Sequence, residues 1–99
     1  SDPDAAFDRE WARETTARAM EKLRAESEAR GKGALFDALR RSLTGDEPAR
    51  GETAARLGMT EGALKTAVHR LRQRYRELLR AEILDNDIRN IVTVLGLSP

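Results

Sequence analysis

The most constraining feature of this sequence is an apolar stripe at helical spacing that follows a predicted tight turn. The stripe steps by four, three, four and three residues, through Leu64, Val68, Leu71, Tyr75 and Leu78. At about 100° per residue, these side chains stay within about 40° of one line along a helix, so they predict one buried face. The residues just before it, Gly58-Met59-Thr60, predict a turn in which Thr60 caps the new helix at its N-terminus.

A second helix is predicted before this turn, over the segment ETAARL, beginning near Pro48 or Arg50. Its small residues Ala54 and Ala55 would let the two helices approach closely. Two short helices joined by a short turn that contains glycine form a helix-turn-helix pattern, which can hold its second helix in a DNA major groove. The same shape also occurs as a plain corner in a helical bundle, and the pattern alone leaves both interpretations open.

Three further helices are predicted from apolar spacing and glycine stops. A long first helix, from about Ala5 to Arg30, ends at Gly31-Lys32-Gly33. Its expected apolar side consists of Ala12, Thr16, Ala19, Met20 and Leu23, with Thr15 and the packing anchor Trp11 at the edge. A short helix within ALFDALRRSL precedes a loop over TGDEPARG, and a last helix is expected from Asp87 to Leu95, capped by Asp85 or Asn86.

Composition narrows the classes of function. The chain has 99 residues, no cysteine, no apolar run long enough to span a membrane and no visible signal peptide, which favours a single cytoplasmic domain. One histidine without cysteine argues against a metal site, and no residues form a catalytic constellation, so we expect neither an enzyme nor a cofactor. Residues 61–80 carry six basic and two acidic side chains, net +4, a pattern typical of a DNA contact or of a solvated charged face.

The side of the predicted helix opposite the apolar stripe is polar. It consists of Gly62, Thr66, His69 and Gln73, flanked by Lys65, Arg70 and Arg76. Thr, Gln, Lys and Arg can contact base edges or phosphates, and Gly62 would give clearance for a close backbone approach. A lone histidine such as His69 is more often an ordinary surface residue than a reader of bases or a ligand. Arg72 and Arg74 equally fit a role in covering the core with their aliphatic stems.

The segment from Glu52 to Leu79 resembles the C-terminal DNA-binding domain, region 4, of bacterial RNA polymerase sigma factors of the extracytoplasmic-function (ECF) group. The matching residues are Glu52, Ala54, Leu57, Gly58, Met59, Thr60, Glu61, Gly62, Leu64, Lys65, His69 and Arg70. The family usually has an aromatic residue near Arg50 and an aliphatic one at Thr53, so these two positions depart from the pattern. Region 2 of these factors has no counterpart here, and we therefore expect the chain to be a fragment or isolated domain of a longer protein.

No strand is predicted, so the expected fold is all-α. It is a small helical bundle of about five helices containing a helix-turn-helix, with a three-helix DNA-binding core of the winged-helix type that lacks the wing. Three parts are expected along the chain: a linker or long helix over 1–33, the region 4 domain over 34–80, and a helical extension over 81–99.

The resemblance also implies a function, sequence-specific binding to the promoter −35 element in support of transcription initiation. Base edges and nearby phosphates would meet Glu61, Gly62, Lys65, Thr66 and His69. Phosphate contacts, or support for them, would come from Arg50, Arg56, Arg70 and Arg74. The implied partners are promoter DNA, the β-subunit flap of core RNA polymerase and an anti-sigma factor, in the bacterial cytoplasm at the nucleoid. Neither a membrane nor a small-molecule substrate is expected.

Two other interpretations stay open. LuxR-type regulators share part of the motif and dimerise through a helix after the recognition helix, a role that ILDNDIRNIVTVLGL could fill. Alternatively, the chain is a helical interaction module that never contacts DNA and uses its first and last helices. The last helix could also fold back over the apolar side of the domain, or mask the basic helix with Asp85 and Asp87.

Overall fold

The structure is a computed structural model that describes residues 3–43 and 50–96, the side chains of 41–43 excepted. This part of the chain forms four helices: α1 (Pro3–Ala29), α2 (Gly33–Leu43), α3 (Arg50–Leu57) and α4 (Glu61–Val94). The prediction of an all-α fold built as a small helical bundle is confirmed, with four described helices rather than about five. Residues 44–49, with most of the predicted loop and the alternative helix start at Pro48, lie outside the described residues.

Helix α4 shows that the prediction of a separate last helix from Asp87 to Leu95 was wrong. The helix runs unbroken to Val94, because residues 81–86 contain no Gly or Pro and Asp85, an expected cap, instead pairs along the helix with Arg89 at 2.9 Å. The described segment up to Gly96 therefore does not fold back over the domain. Asp85 lies about 30 Å along the helix axis from Lys65, too far to mask it.

Helix α1 buries a face that overlaps the predicted one but is turned toward Thr15: Ala19 and Leu23 are buried as predicted, and Met20 is half-buried. Its buried residues repeat every four positions: Thr15, Ala19, Leu23 and Ser27. Ala12, expected on the apolar side, is exposed, and Trp11 is half-buried. The hydroxyls of Thr15 and Ser27 donate to the carbonyls of Trp11 (2.7 Å) and Leu23 (2.8 Å), so these small polar side chains are buried with their hydrogen bonds made.

Two apolar clusters connect the helices. One joins α1, α2 and α4 through Ala19, Leu23, Phe36 and Leu78. The other joins α2, α3 and α4 through Leu39, Ala54 and Leu64. The predicted stripe of α4 contributes to both, since Leu64 and Leu78 are buried and the stripe residues between them pack at the margins. Burial there raises the pKa of the Tyr75 phenol.

Ion pairs fix the antiparallel register of α1 on α4. Glu82 of α4, with a side chain only 6% exposed, pairs with Lys22 and with Arg18 (3.2 Å) of α1. Farther toward the start of α4, the Nε atom of Arg74 donates to Oε2 of Glu26 at 2.8 Å. The hydrogen bonds from Lys22 and Arg18 outweigh burial and hold the pKa of Glu82 below its ordinary value.

Candidate nucleic-acid interface

The turn between α3 and α4 is built by local hydrogen bonds. Gly58 has φ +67°, and its N–H donates to the Ala55 carbonyl at 3.2 Å, while the N–H of Met59 donates to the Ala54 carbonyl at 2.9 Å. These two bonds satisfy the last carbonyls of α3 in the arrangement that favours glycine after a helix. Thr60 then caps α4 as predicted, because its side-chain oxygen accepts from the N–H of Ala63 at 3.0 Å.

The turn is also anchored from inside. Leu57 and Met59 on either side of Gly58 are half-buried and pack on the cluster of Leu39, Ala54 and Leu64. Because Leu64 lies near the beginning of α4 and Ala54 lies in α3, these two helices share one apolar contact region. The start of α4 is therefore held in a defined direction relative to α3.

The outer face of the first half of α4 is uncovered. Gly62, Lys65, Thr66 and His69 are all exposed, whereas Leu64 is 2% exposed. A methyl group added at Gly62 would meet no atom within 4 Å, so the backbone is open there. The Thr66 hydroxyl donates to the Gly62 carbonyl at 3.1 Å and keeps its own lone pairs available as acceptors.

Glu61 is directed back toward α3. A methyl group added at Gly51 would lie 3.1 Å from Oε1 of Glu61, which places this carboxylate beside the first turn of α3. Its position in the first turn of α4 also favours a negative charge, because the helix dipole is positive at that end. The arrangement leaves the positions of Lys65 and Thr66 unobstructed by this acid.

The predicted cationic residues fall into two groups. Arg50, Arg56, Lys65 and Arg70 are exposed and make no ion pair with any residue that the structure describes. Arg74 is already engaged, by Glu26 of α1 and, through its Nη1 atom at 2.9 Å, by Glu77 of α4. The hydrogen bonds from Arg74 lower the pKa of Glu26, and those to the two carboxylates raise the pKa of Arg74. Arg74 thus ties α4 to α1.

Two further cations that the sequence analysis did not single out lie beside Arg70. Arg30 and Lys32, from the connection between α1 and α2, line with it a cleft of about 230 Å³. The apolar residues Leu35 and Leu71 also line this cleft. Sequence spacing could not reveal this neighbourhood, because the two cations are far from α4 along the chain and only the packing of α1 on α4 brings them together.

Comparisons of this chain with protein-family models, curated proteins and solved structures gave no match. Within residues 3–43 and 50–96, no three His, Asp or Glu side chains come together as a metal site. None of the four described helices has the length and apolar character needed to cross a membrane.

Proposed function

We propose that this chain binds promoter DNA as region 4 of an ECF-type sigma factor does, with the first half of α4 in the major groove of the −35 element. In this proposal α3 and α4 form the helix-turn-helix, and the β-subunit flap of RNA polymerase contacts the helices before the turn. The observation that carries the proposal is the outer face of α4, which is exposed and cationic while its inner face is fixed in the core.

The described side chains suggest a division of roles on DNA. Lys65 can donate to guanine acceptors in the major groove, and the Thr66 hydroxyl can accept from a base amino group. Arg50, Arg56 and Arg70 would contact phosphates, which supply affinity but no sequence choice. Arg74 would act as a support, because its pair with Glu26 holds α4 against α1.

The number of available cations predicts weak, salt-dependent binding by the chain alone. The three arginines proposed to neutralise phosphates, Arg50, Arg56 and Arg70, would give log K against log salt a slope of about −3. Attachment to polymerase would raise the effective concentration of the domain at the promoter, so that modest intrinsic affinity is sufficient.

The test is fluorescence anisotropy of the full chain with duplexes selected from a random library and with random duplex, at low and moderate salt. We expect Lys65→Ala to weaken binding to the selected sequence by about 1–3 kcal/mol and to affect random duplex less. Arg9→Ala is the matched control, because Arg9 is an exposed cation near the far end of α1 that forms no ion pair with a described residue.

Two outcomes would contradict parts of this proposal. An equal loss on both duplexes would reduce Lys65 to a phosphate contact. An absence of binding to any duplex at low salt would remove the DNA-binding function and favour a helical interaction module.

A further inference from the structure

The apolar residues of α4 change sides along the helix. Up to Leu78 they face α1 and α2, but beyond Glu82 a second apolar row faces away from them. This row, the distal apolar stripe, consists of Leu84, Ile88, Ile91 and Leu95, which are 61, 52, 57 and 63% exposed. Leu84 lies about 200° around the helix from Leu64, so the two stripes are on opposite sides of one continuous rod.

The inner side of the same segment is polar. Glu82 pairs with Arg18 and Lys22 of α1, and Asp85 pairs with Arg89. Turning the segment to bury the distal apolar stripe would therefore break the buried pairs of Glu82. No described residue covers the stripe, and a row of large apolar side chains at this exposure is typical of an interface.

We propose that two copies of this chain associate through the distal apolar stripe, with their α4 helices antiparallel. The stripe steps by four, three and four residues, which is the spacing of a seam between paired helices. The row itself contains no charged residue. Ile83 and Val94 lie farther around the helix on one side, and Asp87 lies between them and the row, at the edge of the seam. A straight apolar row of this kind is complementary to its own copy under a two-fold rotation.

The exposed area is sufficient for a reversible dimer. The six large apolar side chains of this segment expose roughly 600 Å² per chain, at the upper end of the patches that monomers carry. Burying this area on two copies would remove roughly 1,200 Å² from water, the lower limit of standard specific interfaces. We therefore expect concentration-dependent association rather than an obligate dimer.

Charge selects the antiparallel arrangement. A parallel pair would place the cationic segment 61–80, with a net charge of +4, directly against its copy. In the antiparallel pair Ile88 meets Ile91 of the other copy, and Lys65 lies about 35 Å along the axis from the centre. The outer faces proposed to contact DNA stay uncovered in this dimer. Association and DNA binding can therefore be tested separately, and a negative result for one leaves the other unaffected.

Sedimentation equilibrium of the full chain up to about 100 µM tests the association. We expect the mass to rise from 11.0 kDa toward twice that value as concentration increases. Ile88→Lys should weaken association at least about tenfold, because it places a charge inside the seam. Thr93→Lys, which adds the same charge at an exposed position about 180° around the helix from the middle of the stripe, should change it less than about twofold.

A monomeric mass over the whole range, or equal effects of the two lysine variants, would overturn the proposal. Circular dichroism should show the same helicity in both variants, because both substituted positions are exposed. A difference in association then comes from the added charge and not from unfolding. DNA anisotropy of Ile88→Lys gives the independent readout for the proposed function.

Disulfide crosslinking tests whether the two α4 helices are antiparallel. The chain has no natural cysteine, so only the introduced cysteines can form a disulfide. Leu84→Cys and Leu95→Cys, mixed and oxidised, should form the 84–95 disulfide between copies more readily than either variant crosslinks to itself. Preferential 84–84 and 95–95 products would overturn the antiparallel arrangement.

Discussion

At the scale of single residues, two glycines four positions apart have opposite physical roles. Gly58 has φ +67°, in the left-handed region where a side chain is strained, and it ends α3. Gly62 lies inside the first turns of α4 with ordinary helical backbone and open space where a side chain would be. Conformation therefore requires glycine at the first position, whereas only an external partner would require it at the second.

This difference predicts opposite effects of alanine on stability. Gly58→Ala should lower the free energy of unfolding by about 1–2 kcal/mol, while Gly62→Ala should raise it by up to about 1 kcal/mol. Denaturant unfolding followed by circular dichroism measures both. If the open backbone at Gly62 serves DNA, the more stable Gly62→Ala variant should bind duplex more weakly; unchanged binding would show that clearance at this position is unimportant.

At the scale of elements, α1 and α4 are held together by an interface that is partly ionic. Small side chains of α1 pack on α4, and Glu82 and Glu26 pair with cations of the opposite helix. The pKa values of both carboxyls are lowered in the folded state. Their contribution to stability is therefore complete above the unfolded carboxyl pKa and is lost as the pH falls through the folded one.

We accordingly expect Glu82→Gln to lower the free energy of unfolding by about 1 kcal/mol at neutral pH, because it leaves Arg18 and Lys22 without their shared carboxylate. The difference from the unsubstituted chain should shrink as the pH falls below the ordinary carboxyl range and through the lowered pKa of Glu82, where this side chain itself becomes neutral. Glu10→Gln is the control, since Glu10 pairs with Arg13 at an exposed site and should change stability by a few tenths of a kcal/mol. Equal effects of the two changes at neutral pH would contradict the role given to Glu82.

At the scale of the whole molecule, the continuous α4 makes the chain elongated. The Cα radius of gyration is 17.2 Å and the extents are 54 × 35 × 16 Å, whereas a compact chain of this length would have a radius near 13 Å. One rod thus carries the proposed DNA face in its first half and the distal apolar stripe near its other end, and ligands at the two sites need not collide.

Small-angle X-ray scattering of Ile88→Lys, the variant expected to be monomeric, should give a radius of gyration close to 17 Å. The unsubstituted chain should exceed this value as its concentration rises. A radius near 13 Å for the variant would instead indicate that the end of α4 folds back on the domain.

Sequence patterns predicted the features that depend on near neighbours in the chain. The Gly58 turn, the Thr60 cap and the buried stripe from Leu64 to Leu78 agree with the structure, because each involves residues within a few positions of one another. The exposure of Lys65, Thr66 and His69 was likewise expected from their positions opposite that stripe. Their proposed contacts with DNA stay a prediction.

The tertiary structure alone decided what depends on the register of one helix against another. The packing of α1 on α4, the pair of Arg74 with Glu26 and the cleft shared by Arg30 and Arg70 all join segments far apart in sequence. The continuity of α4 belongs to the same class, since the acids expected to cap a new helix were equally able to pair within a longer one. Local periodicity determines which side of a helix is apolar, but only packing determines which neighbouring helix that side contacts. At the distal apolar stripe, no described helix of this chain makes that contact.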